Sequence, residues 1–199
     1  MVGLQPAPEE KKNHPEPGAA DTRAAYLDFL MRRYGDQVLK LAYFYLKDYH
    51  LAEDAAQEVF LKAFRRLDGF RGESAPGTWL YRITVNVCLD YLRRAGRRRL
   101  FSMLGPAADD EGAPAPEALF LSAEEKNQLL QAVLRLPLKY RAVIVLRYFH
   151  DLENSEIAAI LGLSPGNVRV RLFRAHALLK TYLDEGGGSG GGKRPGGTS

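Results

Sequence analysis

The placement of proline and glycine constrains this chain more than any other feature of its sequence. Eight of the eleven prolines (Pro6, Pro8, Pro15, Pro17, Pro106, Pro114, Pro116, Pro195) fall within three stretches, 1–21, 105–117 and 186–199. The middle stretch reads GPAADDEGAPAPE, and the last holds eight glycines in fourteen positions. Such stretches carry too few apolar side chains to offset the entropy of ordering them. The expected organisation is a disordered tail over 1–21, a first module over 22–99, a flexible linker over 100–123, a second module over 124–184, and a disordered Gly-rich tail over 185–199.

Both modules are helical by pattern. Ala56, Val59, Phe60, Ala63, Phe64 and Leu67 form one stripe at spacings of three and four, and Leu80, Ile83, Val87 and Tyr91 form another. Turns are expected at Tyr34-Gly35-Asp36 and again from Asp68 to Gly77. No segment sustains period-two alternation. The fold class is all-α, with two small helical domains joined by a flexible acidic tether.

Charge follows the same division. The formal net charge is only +4, yet residues 22–99 carry +6, residues 100–125 carry −6 with no base, and residues 126–184 carry +5. Two basic modules on an acidic tether point to an anionic partner more strongly than the net charge does. The single Cys88 excludes a disulfide framework and a multi-cysteine metal site, and fits a reducing cytoplasm. No apolar run approaches the roughly 18 residues of a membrane span, so no membrane insertion is expected. Met1–Asp21 lacks the apolar region of a secretory signal. His14, His50, His150 and His176 are scattered, and neither metal-ligand spacing nor a phosphate-binding loop occurs. No catalytic residue, cofactor or metal site is expected, and the chain is read as a non-enzyme.

The sharpest local signal is NSEIAAILGLSPGNVRVRLFRAHALLK, residues 154–180. A short helix from Ser155 to Leu161 ends at Gly162, which supplies a left-handed terminus. Ser164 then caps a second helix with Pro165 at its first position. Two helices joined by a short glycine-containing turn make a helix-turn-helix. In the second helix Val168, Leu172, Ala175 and Leu179 face inward, leaving Arg169, Val170, Arg171, Phe173 and Arg174 near the half that enters the major groove. Arginine suits that task because its fork matches guanine O6/N7 or phosphate oxygens. No acid occurs from Ser164 through Leu183.

The first module carries two further faces. Asp54, Gln57, Glu58 and Lys62, with Leu61, lie opposite the apolar stripe; periodicity leaves open whether they complement the helix dipole or dock a basic partner. Arg82, Asn86, Asp90 and Arg93 share a polar face at spacings of four, four and three, after a loop containing Phe70, Arg71, Gly72, Glu73 and Ser74. Asparagine and aspartate flanked by arginine offer base-edge partners beside phosphate neutralisation, and such a loop has room for an unstacked base.

Three blocks together, AEDAAQEVFLKAFRRL, FRGESAPGTWLYRITVNVCLDYLRR and LRLPLKYRAVIVLRYFHDLENSEIAAILGLSPGNVRVRLFRAHALL, resemble the bacterial extracytoplasmic-function sigma factors of the sigma-70 family. The resemblance covers nearly all of residues 22–184 and implies sigma domains 2 and 4. It implies a core RNA polymerase-binding surface of Asp54, Gln57, Glu58, Val59, Phe60 and Lys62. It implies a minus-ten reader of Phe70, Arg71, Gly72, Glu73, Ser74, Asn86 and Asp90, with one base flipped into the loop. Arg169, Val170, Phe173 and Arg174 match the family's minus-thirty-five positions, beside Arg171; Val170 and Asn167 stand where a small polar residue and threonine are common. Trp79 is read as core packing in preference to a melting wedge. The implied partners are core polymerase, promoter DNA and an anti-sigma factor. The competing readings are a helix-turn-helix regulator that is not a polymerase subunit, and a protein-interaction module.

Overall fold

The computed structural model describes residues 20–70, 72, 74–101 and 124–187. Residues 1–19 and 188–199 of the expected tails and 102–123 of the expected linker lie outside these residues, as do Arg71 and Glu73; the inner ends of the tails, 20–21 and 185–187, and residues 100–101 of the linker are helical. Among the described residues all regular structure is helical: α1 (Ala20–Leu46), α2 (Tyr49–Arg66), a 3-10 turn (Leu67–Gly69), α3 (Pro76–Phe101), α4 (Glu124–Arg135), α5 (Leu138–Tyr148), α6 (Asn154–Leu161) and α7 (Pro165–Gly187). The three prolines inside the modules all stand at helix starts: Pro76 opens α3, Pro137 is the N-cap of α5, and Pro165 opens α7. A missing N–H is harmless there, since the first turn has no acceptor for it.

Helices α1, α2 and α3 pack on one another as the first bundle, and α4, α5 and α6 gather around α7 as the second. In the first, Leu30, Tyr34, Val38 and Leu41 of α1 meet Ala52, Ala55, Val59, Phe60 and Ala63 of α2 and Leu80, Ile83 and Val87 of α3 in one buried cluster. Burying each of the larger side chains contributes about 1.5–3 kcal/mol. Asp48 caps α2 by accepting from the Leu51 N–H at 2.8 Å. Phe64, expected to face inward, is part-exposed and is covered by the Arg23 guanidinium, 4.9 Å from its ring centre.

The turn expected at Tyr34-Gly35-Asp36 does not form. α1 runs unbroken through Gly35, because Leu30, Tyr34, Val38 and Leu41 keep one face in the core across it. A helical glycine costs about 1 kcal/mol against alanine, less than that packing returns. The Tyr34 ring also bears on Gly77: a Cβ there would lie 3.0 Å from Tyr34 Cε1, so any larger residue would push against the ring where α3 approaches α1.

The bundles pack against each other. Leu41–Tyr45 of α1 and Arg141–Leu146 of α5 are buried at every successive residue, which one packed face cannot explain. A helix buried all round has neighbours on both sides, and α1 meets α5 while α3 meets α6. Phe44 and Phe149 meet edge to face at 4.7 Å, and Tyr81 and His150 lie 4.6 Å apart. Thr78 Oγ1 donates to Glu156 Oε1 at 3.3 Å, and Arg141 reaches the Tyr45 carbonyl at 3.4 Å.

Candidate functional site

The helix-turn-helix forms from local rules. α6 starts at Asn154, one residue before the expected Ser155; its Glu156 carboxylate accepts from the Glu153 N–H at 2.9 Å. Gly162 ends it at φ 64°, the left-handed conformation that glycine adopts without strain. Ser164 Oγ then accepts from the Asn167 N–H at 3.2 Å, capping α7. Val168, Leu172, Ala175 and Leu179 are all buried, so the rotation of α7 is set by its apolar stripe.

That rotation sorts the five candidate residues. Arg169, Val170, Phe173 and Arg174 are exposed together on the side away from the stripe. Arg171 is half-buried on its flank, close enough to Tyr45 of α1 for its charge to act on that phenol. The structure therefore brings four of the five together and turns Arg171 toward the other bundle. A hydrogen bond from Arg174 to Tyr140 is the main reason that phenol titrates below its ordinary value. His176 is exposed and pairs its Nε2 with the Tyr148 hydroxyl at 2.9 Å.

On the first bundle, Asp54, Gln57 and Leu61 are exposed along α2, and Glu58 and Lys62 are partly so. Glu58 pairs with Lys62 at 2.7 Å, and Lys62 approaches Asp90 of α3 at 3.9 Å. Asp90 also pairs with Arg93 at 2.5 Å, and that hydrogen bond first, then the surrounding cations, hold its carboxyl below the usual range. The acidic face of α2 is thereby joined to the polar face of α3, where Arg82, Asn86 and Arg93 are exposed. Val59 and Phe60 are not on that surface: both are buried in the bundle core, because the α2 stripe that includes them faces α1 and α3. They hold the helix from beneath.

Ahead of α3, Phe70 is half-buried against Trp79 with ring centres 4.8 Å apart, so Trp79 packs at the edge of the core beneath the loop. Gly72 has φ 71° and Ser74 leads into the helix. Cys88 is buried, and burial pushes its thiol up to about 12, which leaves it a packing residue. Among the described residues no cluster of three metal-ligating side chains occurs, and no helix is long and apolar enough to cross a membrane.

Two residues at the contact between bundles escaped the sequence reading. Arg141 is buried, donates to the Leu134 carbonyl at 2.8 Å and the Leu136 carbonyl at 3.4 Å, and burial lowers its guanidinium to about 10. His150 has neither ring nitrogen hydrogen-bonded; burial, assisted by Lys40, lowers it to about 4. Their only sequence signal was a polar residue within or beside an apolar run, which does not distinguish a buried role from a solvated one.

Sigma-70 region 2 matches residues 30–98, and a sigma-70 region 4 family matches residues 126–179. The ECF RNA polymerase sigma factor SigW of Bacillus subtilis is 35% identical over 160 residues, 75% of this chain and 84% of the relative. This chain belongs to the extracytoplasmic-function sigma factors. The ECF RNA polymerase sigma-E factor of Escherichia coli K12 is 38% identical over 76% of this chain and 83% of its own length. Among solved structures, the sigma factor RpoE in complex with the anti-sigma factor NepR from Bartonella quintana has the same fold, with TM-score 0.68 over 80% of this chain and 97% of that one, at 23% identity. CnrH, in complex with the cytosolic domain of CnrY, matches with TM-score 0.59 at 26% identity, over 81% of this chain and 90% of that one. The chain is an RNA polymerase sigma factor of the ECF type, a family of transcription initiation factors.

Proposed function

We propose that the sigma factor divides its work among three faces. Asp54, Gln57, Glu58 and Lys62 dock on core polymerase, with Val59 and Phe60 fixing the helix behind them. Phe70, Arg71, Gly72, Glu73 and Ser74 with Asn86 and Asp90 take the melted minus-ten strand: the loop holds an unstacked base, and Asn86 and Asp90 meet base edges. Arg169, Val170, Phe173 and Arg174 read the minus-thirty-five duplex, with Arg171 acting from the flank on phosphate or on the other bundle. Residues 22–99 and 124–184 are then sigma domains 2 and 4, and 100–123 is the acidic tether between them. The site of action is the cytoplasm, where core polymerase works, and an anti-sigma factor is the regulating partner.

The observation that carries this reading is α7: a capped helix with four side chains exposed on its outer face, two of them arginines, and no acid from Ser164 to Leu183. Elements centred about 25 base pairs apart are separated by roughly 85 Å of duplex, whereas a 150-residue globule has a radius of gyration of only about 15 Å. Reading both elements therefore requires the two bundles to part. Run-off transcription with core polymerase tests the assignment. Promoter-dependent initiation on adding this chain is expected; altered footprints without initiation would instead identify a regulator.

A further inference from the structure

Two large apolar side chains stand in solvent in the middle of the basic face of α7. Phe173 is 76% exposed and Val170 is 49% exposed. They are three residues apart on one helix, hence adjacent on its surface, and Arg169 and Arg174 flank them. Neither side chain has a role in the core, because the stripe of Val168, Leu172 and Ala175 already fills the opposite side. A face devoted to phosphate alone would not present a valine and a phenylalanine to water. In the major groove, one feature of a base-pair edge is apolar: the C5-methyl group of thymine.

We propose that Val170 and Phe173 form an apolar pair that selects thymine by its methyl group in the minus-thirty-five duplex. The proposal rests on the assignment of α7 as the duplex reader. Arg169 and Arg174 set the helix in the groove through phosphate or guanine contacts, and the pair then covers one or two methyl groups. Arginines in these positions do not distinguish a thymine from an edge that lacks the methyl; the apolar pair does. The specificity at those base pairs is therefore a matter of burial instead of hydrogen bonding.

The test alters the DNA first, with the protein intact, and then the two side chains. Promoter duplexes are selected from a randomised minus-thirty-five library with holoenzyme made from the full chain and core polymerase. Each thymine in the selected element is then replaced by deoxyuridine, which lacks only the methyl. A three- to fivefold loss of affinity is expected at one or two positions, the scale of burying one methyl group. The Val170→Ser and Phe173→Ser variants are expected to bind the thymine and deoxyuridine duplexes equally at those positions. Equal affinity of the unaltered factor for both duplexes at every position would overturn the proposal, as would variants that keep the full thymine preference. Loss of core binding in the variants, with thymine preference unchanged, would assign the pair to a protein surface and overturn it too. Failure of the underlying assignment is separate, because then no promoter-dependent initiation would be seen with any duplex.

Discussion

The two bundles present charge in opposite ways. On the first, two of the acids are tied up: Glu58 pairs with Lys62, Lys62 approaches Asp90, and Asp90 pairs with Arg93, linking α2 to α3, while Asp54 is exposed beside them. On the second, Arg169 and Arg174 have no carboxylate partner among the described residues, and exposed apolar side chains lie between them. The difference matches the proposed tasks. A partly neutralised surface tolerates the close approach of a protein or of an unpaired strand whose bases must be met individually. A free cationic surface suits intact duplex, where phosphate contacts supply much of the affinity. The interiors differ as well, since the second bundle buries a charged Arg141 whose guanidinium satisfies backbone carbonyls.

The largest expected effect separates the bundles by stability. Arg141→Ala should destabilise the second bundle by about 2–4 kcal/mol, because it leaves the Leu134 and Leu136 carbonyls buried without donors. Hydrogen exchange is expected to quicken in α4–α7 while α2 and α3 stay protected. Equal loosening of both bundles would show that they share one cooperative unit.

Charge reversal at Asp54 and Glu58 to lysine should weaken core polymerase binding by about 2–3 kcal/mol with the circular dichroism spectrum unchanged. Core affinity that survived the reversal would place the docking face elsewhere and remove the contrast in charge from the explanation. On the other bundle, Arg174→Ala should weaken promoter-duplex binding by about 1–3 kcal/mol if its fork makes a bidentate base contact. Fluorescence anisotropy across promoter variants measures this, and unchanged affinity for all of them would refute the contact.

The smallest effect concerns the contact between the bundles. His150 is held neutral there, lowered from 6.5 to about 4. A depressed histidine makes the contact favourable above its unperturbed value and progressively weaker as pH falls from 6.5 toward 4, since protonation then favours the separated state. The groups facing it are the Lys40 cation of α1 and the Tyr81 ring of α3. At pH 5.5 the weakening should be about 1 kcal/mol. Energy transfer between dyes on α2 and α7 should report an increased separation under acid, and His150→Gln should remove the dependence. A distance insensitive to pH in the unaltered chain would show that His150 does not govern the contact.

Much of the architecture follows from neighbours in sequence. The Gly162 terminus, the Ser164 cap and the inward stripe of α7 are set by interactions spanning about one turn of helix, so the residues themselves specify them. The same is true of the four-residue outward face, because fixing the stripe fixes its opposite. Gly35 shows where such reasoning fails: its local preference for a turn is overruled by Tyr34 and Val38 packing against partners far away in the chain. Val59 and Phe60 show the complementary limit, since a motif names a helix without saying which of its residues reach the surface.

By itself the sequence determined the helical class, the basic and acidic partition and the helix-turn-helix with its capped second helix. Local hydrogen bonding, apolar periodicity and charge do not depend on what lies across the molecule. Only the tertiary structure decided that Arg171 turns away from the other candidates, that Arg141 is buried, and that Phe44, Tyr81, Phe149 and His150 meet between the bundles. Apolar surface is non-directional. A periodic pattern states that a face must be covered, and the shape of distant side chains selects the face that covers it.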